Sequence, residues 1–368
     1  MARGGTLDRP LRVLEARAPL RANDIGGWTD TWFAGRGRVL NLAVAPCVEV
    51  RVEVFGNLGS EPGRVRIRAV NFGETFSFVP EEPGPASGPH ALLRHAVGVF
   101  PIPEDIRLEI MLFSPVPPGF ATGTSASVCV ALLGALDRLT GGGRTPDEIA
   151  ALAHRVETEK LGRQSGIQDQ IAAARGGVNF IRVTQYPASE VETLTLEPRI
   201  WDALDRRLRL VGLGGSHDSS ALHERVIAEL EKGGPLRARL DEMSRLAEEA
   251  RDRLLEGDLG GYGRVMTGNN ECQRRLAAEL VSPEADAVIR IALKHGASGW
   301  KVNGAGGRGG SLTLLAGADD DAARAMDREI EALGGGIRTL SISLSATGLT
   351  VREEGSGLNF QVFVGAKT

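Results

Sequence analysis

The chain has 368 residues, of which 42% are hydrophobic, and its formal net charge at neutral pH is −4. This length predicts two domains, or one large domain, with an ample core, and the slight acidity argues against nucleic acid as a partner. The three cysteines, Cys47, Cys129 and Cys272, are far apart and odd in number, which indicates free thiols in a reducing compartment rather than disulfides or a metal site.

The sequence contains no apolar run near the ~20 residues that a membrane span requires. Its first residues also lack the apolar segment of a secretory signal. We therefore expect a cytoplasmic protein with no membrane partner.

The first half of the chain shows strand patterns followed by helix patterns, which predicts an α+β fold. Strands are predicted over residues 13–17, 39–55, 65–70 and 106–113, with a helix over 90–100. Helices are then predicted from residue 125 onward, over 146–160 and over 167–175, and strands over 178–183 and 191–196. Residues 198–206 are interpreted as a linker region, although Trp201 and Leu204 indicate that it packs against the protein.

The second half begins with a predicted strand over residues 208–213 and three long helices between residues 219 and 276. A helix over 283–295, a strand, a glycine-rich loop, a strand over 311–315, a helix over 322–333 and final strands follow. We expect one domain over residues 1–200 and a second over 201–368.

A segment without charge, PVPPGFATGTSAS at residues 115–127, leads into the apolar stretch 128–136. Gly119 and Gly123 allow sharp turns, and Thr124 and Ser125 stand where a helix N-cap belongs. The free N–H groups of such a first helical turn attract an anion, which predicts a phosphate cradle. The alternative is an ordinary loop that caps a core helix.

Three further segments accompany this loop: APLRANDIGGWTDT at residues 18–31, GIQDQIAAARGGVN at 166–179 and GWKVNGAGGRGG at 299–310. Together the segments resemble the motifs of the GHMP kinases, which include galactokinase, homoserine kinase and mevalonate kinase. The Gly-Gly-x-Thr-Asp and Gln-Asp-Gln forms resemble the branch of D-glycero-D-manno-heptose 7-phosphate kinases and fucokinases. The resemblance spans residues 12 to about 316. It implies an N-terminal domain like domain 2 of ribosomal protein S5 and a ferredoxin-like C-terminal domain.

The resemblance also implies a role for individual residues. Asp169 would be the catalytic aspartate, assisted by Arg21, and the substrate would be bound by Asp30, Gly27, Thr29 and Gln168. ATP would be bound by Pro117, Gly119, Ala121, Gly123, Thr124, Ser125 and Ala126, and the C-terminal glycine loop comprises Gly304, Gly306, Gly307 and Gly309. Ser125 and Glu157 would bind Mg²⁺, which prefers hard oxygen ligands.

Simpler interpretations remain for three of these acids. Asp169 could be only an acid favoured early in a helix, Asp30 could form only an Asx turn, and Glu157 could be a solvated surface residue. Trp28 could pack or stack on a sugar.

Some residues depart from the family pattern. Phe120, Ala121 and Thr122 stand where the family usually has a small residue, Gly and Leu before Gly123, which predicts a looser approach of the loop to the nucleotide. Arg308 interrupts the glycine loop and would either close on a phosphate or block it. The segment Gly214–Ser220, followed by His223, is interpreted as an N-cap and a loop beside the substrate.

The predicted reaction uses ATP and Mg²⁺ to phosphorylate the anomeric hydroxyl of a sugar, with D-glycero-D-manno-heptose 7-phosphate as the first choice. Arg36, Arg38 and Arg175 are candidates to bind its terminal phosphate. A free-sugar kinase is one alternative, and a non-catalytic sensor of sugar and ATP is another. The resemblance leaves a homodimer open.

Overall fold

The computed structural model describes residues 9–57, 63–116, 119–215 and 220–354. Within these ranges the strands, numbered in chain order, are β1 (Arg12–Ile25), β2 (Gly37–Gly56), β3 (Val65–Ala69), β4 (Glu74–Phe78), β5 (Ile106–Phe113), β6 (Val178–Gln185), β7 (Ala188–Leu194), β8 (Leu208–Leu213), β9 (Gly299–Val302), β10 (Ser311–Leu315), β11 (Ile337–Leu340), β12 (Ser343–Leu344) and β13 (Thr350–Glu354). The α-helices are α1 (Ala91–Val97), α2 (Thr124–Leu139), α3 (Pro146–Arg155), α4 (Gln168–Arg175), α5 (Pro198–Arg207), α6 (Ser220–Glu231), α7 (Arg237–Glu256), α8 (Leu259–Leu276), α9 (Pro283–Lys294) and α10 (Asp320–Glu331).

The first sheet has the strand order β13-β1-β2-β5-β3-β4, with the β6–β7 hairpin and β12 also joined through β2. The long strand β2 pairs with β6 through its first residues and with β5 through its last ones. Helix α2 is buried nearly all round, as expected for a helix without a polar face. Helix α2 also contacts β1, α3 and α4, so its first turn lies beside β1 and α4.

The second sheet has the order β11-β8-β10-β9 and is antiparallel throughout. Apolar residues of α9 and α10, such as Val288 and Met326, form a core with Leu312 of β10. Helices α7 and α8 contact each other and connect this sheet to the first one, since α7 contacts β2 and α8 contacts β9. The predicted α+β class is confirmed.

Several predicted elements need correction. Residues 198–206 are not a linker but lie within α5, which begins at Pro198 and buries Leu204 completely. The predicted helix over 146–160 ends as an α-helix at Arg155 and continues as a π-helical turn, Val156–Lys160. Two short 3₁₀ turns, Val70–Phe72 and Ala278–Leu280, were also not predicted.

The end of the chain returns to the first sheet. Strand β12 pairs with β2, and β13 pairs with β1, where Val13 lies opposite Glu354. A boundary after residue 200 stays a proposal, and residues 343–354 would then cross back to the first domain. No helix in the described ranges is long and apolar enough to span a membrane.

Candidate active site

Arg21 and Asp169 form an ion pair between β1 and the first turn of α4. Nε of Arg21 donates to Oδ1 of Asp169 at 2.7 Å and Nη2 donates to Oδ2 at 3.3 Å. Nη1 of Arg21 donates to the carbonyl oxygen of Ala121 in the loop before α2. Burial disfavours the guanidinium cation, but the charges of Asp169 and Asp24 outweigh it and raise the pKa of Arg21 above its ordinary value. Arg21 therefore stays charged while it joins three parts of the site.

The loop before α2 presents backbone N–H groups without a side-chain cap. The N-cap is Gly123, which has a φ of 68° and makes no side-chain hydrogen bond to the helix. The prediction that Thr124 or Ser125 is the N-cap is wrong, because the helix already begins at Thr124. An uncapped first turn keeps its N–H groups available to an anion.

Gly123 also brings the loop against the ion pair. A Cβ atom at this position would lie 3.2 Å from Cγ of Arg21 and 3.2 Å from Cγ of Asp169. The loop is fixed to β1 by two hydrogen bonds, from Ser127 Oγ to the carbonyl of Pro19 at 2.7 Å and from the N–H of Arg21 to the carbonyl of Thr122 at 3.0 Å. The start of α2 and Asp169 are therefore held beside each other.

Phe120 attaches the same loop to the second sheet. Its ring lies over Gly212 of β8, where a Cβ atom would be 2.3 Å from the ring. The guanidinium of Arg338 lies 5.4 Å from the ring centroid, and the carbonyl of Phe120 accepts a hydrogen bond from Ser311 Oγ at 2.5 Å. The large side chain is thus accommodated by packing on the second sheet.

The C-terminal glycine loop lies against the phosphate loop. Gly304, Gly306, Gly307 and Gly309 all have positive φ angles, of 61°, 82°, 100° and 72°. A Cβ atom at Gly304 would be 3.3 Å from Cβ of Ala121, and one at Gly306 would be 2.3 Å from the carbonyl oxygen of Leu280. Arg308 is exposed, and its contact with a phosphate stays a prediction.

A cavity of about 240 Å³ opens beside Asp169. One wall is polar and comprises Arg21, Asp24, Asp30, Thr31, Gln164, Ser165, Gln168 and Asp169. The other wall is aromatic and apolar and comprises Trp28, Trp32, Phe33, His223 and Ile227, while Gly166, Gly304 and Ala305 complete the lining. Pockets for drug-sized ligands start at roughly 300 Å³, so the cavity suits a smaller polar molecule with one apolar face.

The aromatic wall was largely missed by sequence reasoning. The centroid of the Trp28 ring lies 6.1 Å from that of the Phe33 ring and 6.0 Å from that of the His223 ring. Nε2 of His223 lies 3.0 Å from the carbonyl oxygen of Gly306. The aromatic spacing at positions 28, 32 and 33 was an available signal in the sequence. His223 comes from the first turn of α6 and lines the cavity, directly after the segment that was predicted to lie beside the substrate. Pro117 and the Ser216-His217-Asp218 part of the predicted substrate-side loop lie outside the described residues.

Asp30 lies at the N-terminus of α4. Its Oδ2 accepts hydrogen bonds from the N–H groups of Ile167 at 2.9 Å and Gln168 at 3.0 Å. Burial raises its pKa to about 6, and the charges of Asp169 and Asp24 add to that shift. Asp30 therefore positions α4 while it lines the cavity.

The other predicted substrate residues divide into two groups. Gln168 lines the cavity and donates from Nε2 to Oδ2 of Asp24 at 3.3 Å. Thr29 is buried, and its Oγ1 donates to the carbonyl of Gly26 at 2.8 Å. A Cβ atom at Gly27 would be 2.5 Å from Oδ2 of Asp24. Gly27 and Thr29 thus shape the turn behind the cavity, and a contact with substrate stays a prediction for both.

Glu157 belongs to a buried polar group beside the site. Its Oε2 accepts from Ser165 Oγ at 2.8 Å and from Gln170 Nε2 at 2.6 Å. Burial raises the pKa of Glu157, and the nearby charge of Asp169 adds to the effect. Glu157 is therefore not the solvated surface residue of the simpler interpretation.

The donor set near Glu157 fits Mg²⁺ that arrives with a nucleotide. Burial raises the pKa of the Cys129 thiol, and the charge of Glu157 adds to that shift. Cys129 lies one turn of α2 after the exposed Ser125. Within the described ranges, no group of three or more His, Cys, Asp or Glu side chains could hold a metal by itself. Oε1 of Gln170 is a buried oxygen without a hydrogen-bond partner among the described residues. Mg²⁺ typically uses one or two carboxylates plus substrate phosphates, so Glu157 and Ser125 could hold it beside ATP.

Asp24 and Lys301 form a buried ion pair that the sequence did not reveal. Nζ of Lys301 lies 3.1 Å from Oδ1 of Asp24, and the two side chains are 0% and 1% exposed, respectively. Burial disfavours the Asp24 carboxylate, but the charges of Lys301 and Arg21 hold its pKa below the ordinary value. Asp24 therefore remains ionised in the wall of the cavity.

The arginines expected to bind a terminal phosphate lie elsewhere, so their predicted place beside the substrate is wrong. Arg175 is six residues along α4 from Asp169, about 9 Å away along the helix, and pairs with Asp147 at 2.5 Å. Arg38 pairs with Glu248 at 2.8 Å, and Arg36 lines a different cavity. Arg21 is the one Arg or Lys among the described residues that line the cavity beside Asp169.

The fold and the site define a two-domain phosphotransferase, and comparisons with known proteins agree. Residues 90–177 match the model of the GHMP kinases N-terminal domain, and residues 247–332 match that of the GHMP kinases C-terminal domain. A mevalonate kinase of Methanothermobacter thermautotrophicus is 30% identical over 233 residues, which are 63% of this chain and 71% of that protein. The chain belongs to the GHMP kinase family.

Other relatives are named as kinases of different substrates. The bifunctional fucokinase/GDP-fucose pyrophosphorylase of Arabidopsis thaliana is 25% identical over 85% of this chain, which spans only 31% of that protein. The D-glycero-alpha-D-manno-heptose 7-phosphate kinase of Campylobacter jejuni is 27% identical over 56% of this chain and 60% of that protein. The crystal structure of a D-glycero-D-manno-heptose 1-phosphate kinase from Bacteroides thetaiotaomicron has a TM-score of 0.71 at 20% identity and covers 93% of this chain and 100% of that one. That structure supports the predicted two-domain fold.

Proposed function

We propose that the protein is an ATP-dependent sugar kinase that phosphorylates the anomeric hydroxyl of its acceptor. The observation that carries the proposal is the Arg21–Asp169 pair, which lies between the uncapped start of α2 and the cavity beside it. A phosphoryl group bound at α2 would meet an acceptor hydroxyl in the cavity at this pair. Positioning and electrostatic stabilisation are the main contributions that a protein makes to phosphoryl transfer.

The phosphate loop, from Gly119 to Ala126, would bind the phosphates of ATP through backbone N–H groups. The positive φ angles of Gly119 and Gly123 allow the backbone to approach closely, and the dipole of α2 favours negative charge there. The glycine loop that contains Gly304 would contact the nucleotide on the side opposite the phosphate loop. Glu157 and Ser125 would hold Mg²⁺, which supplies neutralisation of phosphate charge.

Asp169 would orient the acceptor hydroxyl and accept its proton, since its carboxylate is partly exposed toward the cavity. Arg21 would stabilise negative charge on the transferring phosphoryl group. Asp30 and Gln168 would contact sugar hydroxyls from the polar wall, and the aromatic wall would cover an apolar face of the sugar.

Two acceptors are candidates for this site. Our first choice from sequence, heptose 7-phosphate, is supported by the Campylobacter jejuni relative. A terminal phosphate needs cationic partners, but Arg21 is already paired with Asp169, and the other arginines considered lie outside the cavity. This observation favours the second candidate, a kinase of unphosphorylated sugars, which the fucokinase relative also supports.

A panel of acceptors tests both levels of the proposal. Release of ADP would be measured with free hexoses, 6-deoxyhexoses, heptose 7-phosphate and mevalonate, each with MgATP. Preference for heptose 7-phosphate would favour the first acceptor, and preference for a free sugar would favour the second. Preference for mevalonate, or no turnover of any sugar, would contradict the sugar-kinase proposal.

A further inference from the structure

We propose that Asp24 is a positioning residue that holds the three functional parts of the site together through its pair with Lys301. Asp24 lies near the end of β1, three residues after Arg21. Its Oδ1 accepts from Lys301 Nζ at 3.1 Å and from the N–H of Gly304 at 3.0 Å, and its Oδ2 accepts from Gln168 Nε2 at 3.3 Å. The inference rests on the proposed kinase function.

Each partner of Asp24 belongs to a different functional element. Gly304 starts the C-terminal glycine loop, and Gln168 is the residue directly before Asp169 in α4. Nη1 of Arg21 is 3.9 Å from Oδ1 of Asp24, which adds an electrostatic contact to the proposed catalytic pair. One carboxylate thus fixes the spacing between the glycine loop, α4 and Arg21.

The position of Lys301 explains how this carboxylate can remain buried and charged. Lys301 lies in β9 of the second sheet, is fully buried, and also donates to the carbonyl of Val302 at 2.7 Å. A buried ion pair gives little net stability compared with apolar residues of the same size, whereas loss of one partner leaves an unpaired buried charge. Stability alone therefore does not account for this pair, but orientation of its hydrogen-bonded neighbours does.

Neighbouring polar contacts make the same junction rigid. The N–H of Asn23 donates to Oδ1 of Asn303 at 2.9 Å, and Asn23 Nδ2 donates to the hydroxyl of Tyr262 at 2.6 Å. The N–H of Gly26 donates to Oδ1 of Asn269 at 2.8 Å. These contacts would keep β1 joined to α8 and to the loop after β9 if the Asp24–Lys301 pair were removed. A variant without the pair can therefore be expected to fold.

The test separates orientation from stability with Asp24→Asn, Lys301→Met and the double variant. Each single variant should lower Tm by on the order of 5 °C or more, because Asp24→Asn leaves the buried Lys301 unpaired and Lys301→Met deprives the buried Asp24 of its nearest cation. The double variant should recover most of that loss, since no unpaired charge remains. Its kcat should nevertheless stay about 10-fold or more below that of the wild type, because Gly304 and Gln168 have lost their common charged acceptor.

Asp147→Asn is the matched control, since Asp147 pairs with Arg175 at the opposite end of α4. It should leave kcat unchanged. A double variant whose kcat recovers together with Tm would overturn the positioning role and leave a purely structural one. If neither single variant folds, the double variant alone carries the test. Absence of sugar turnover by the wild type would contradict the proposed function instead, so the two failures can be told apart.

Discussion

Nε of Arg21 lies 2.7 Å from Oδ1 of Asp169, although the two residues are 148 positions apart in the chain. Both heavy atoms belong to charged groups, so the hydrogen bond is of the stronger, charge-assisted kind. Gly123 lies against both side chains, which places the pair directly at the N-terminus of α2. The proposed transfer of a phosphoryl group therefore depends on three elements that meet at one point.

Gly123→Ala tests this close contact. The new Cβ would be 3.2 Å from Cγ of Arg21 and of Asp169, at a backbone φ of 68°. We expect the free energy of unfolding to fall by about 1–2 kcal/mol from the left-handed backbone. We also expect kcat to fall by roughly 10-fold or more because the pair is displaced. Steady-state kinetics and urea unfolding measure the two effects.

Gly141→Ala is the control for backbone strain. Gly141 has a similar φ of 76°, but nothing lies within 4 Å of a Cβ built there. Its stability loss should be like that of Gly123→Ala, with unchanged kcat. Equal kcat values for the two variants would contradict the role of the Gly123 contact.

Ser125→Ala and Glu157→Gln test the proposed Mg²⁺ ligands. Each should raise the Mg²⁺ concentration needed for half-maximal rate, because Ser125→Ala removes the hydroxyl oxygen and Glu157→Gln replaces a charged carboxylate by a neutral amide. Since both act on one ion, the effects should not be additive in the double variant. Titration of the rate with Mg²⁺ at fixed ATP is the measurement.

Glu159→Gln provides the comparison, because Glu159 is exposed and two residues from Glu157. The Glu159→Gln variant should need the same Mg²⁺ concentration for half-maximal rate as the wild type. An unchanged metal requirement in both Ser125→Ala and Glu157→Gln would show that these residues are not the ligands.

Much of the scaffold could be predicted from the sequence because it follows from local patterns. Strands β5 and β8 have the predicted bounds, since their apolar residues alone define them. The motifs likewise placed Arg21 and Asp169 together in function before their contact was visible. Helix α5 was not predicted, although Trp201 and Leu204 already indicated that residues 198–206 pack, and Leu204 is buried in the structure.

Other features of the site could not be predicted from the sequence, because tertiary contacts decide the role of the residues concerned. The positions of Arg36, Arg38 and Arg175 in or beside motifs gave no information on which surface they face. The buried Asp24–Lys301 pair joins residues 277 positions apart and had no signal in either local segment. His223, in contrast, follows the segment predicted to lie beside the substrate, and its ring contacts that of Trp28 in the cavity lining.

Asp30→Asn tests the electrostatic state of the cavity. Burial moves the pKa of Asp30 from 3.8 to about 6 in the folded protein. Between these values the folded protein binds more protons than the unfolded chain, so stability from this group falls as pH rises toward 6 and is lost above it. The Asp30→Asn variant has no titrating group at this position, so its stability does not fall in this way as pH rises. Its stability relative to the wild type should therefore rise by about 2 kcal/mol from about pH 4.5 to pH 7.

Urea unfolding at several pH values measures this difference. Asparagine retains a side-chain oxygen that can accept from the N–H groups of Ile167 and Gln168, so the start of α4 should persist. A stability difference that is constant across the range would contradict the raised pKa.

The most direct test of the central claim is the turnover of Asp169→Asn compared with its binding of ATP. Asparagine keeps the shape of the side chain but cannot accept the proton of a sugar hydroxyl. With the preferred sugar, kcat should fall by about 10²-fold or more, while calorimetric binding of MgATP should be unchanged. Turnover close to that of the wild type would contradict the proposed role of Asp169 and with it the proposed mechanism.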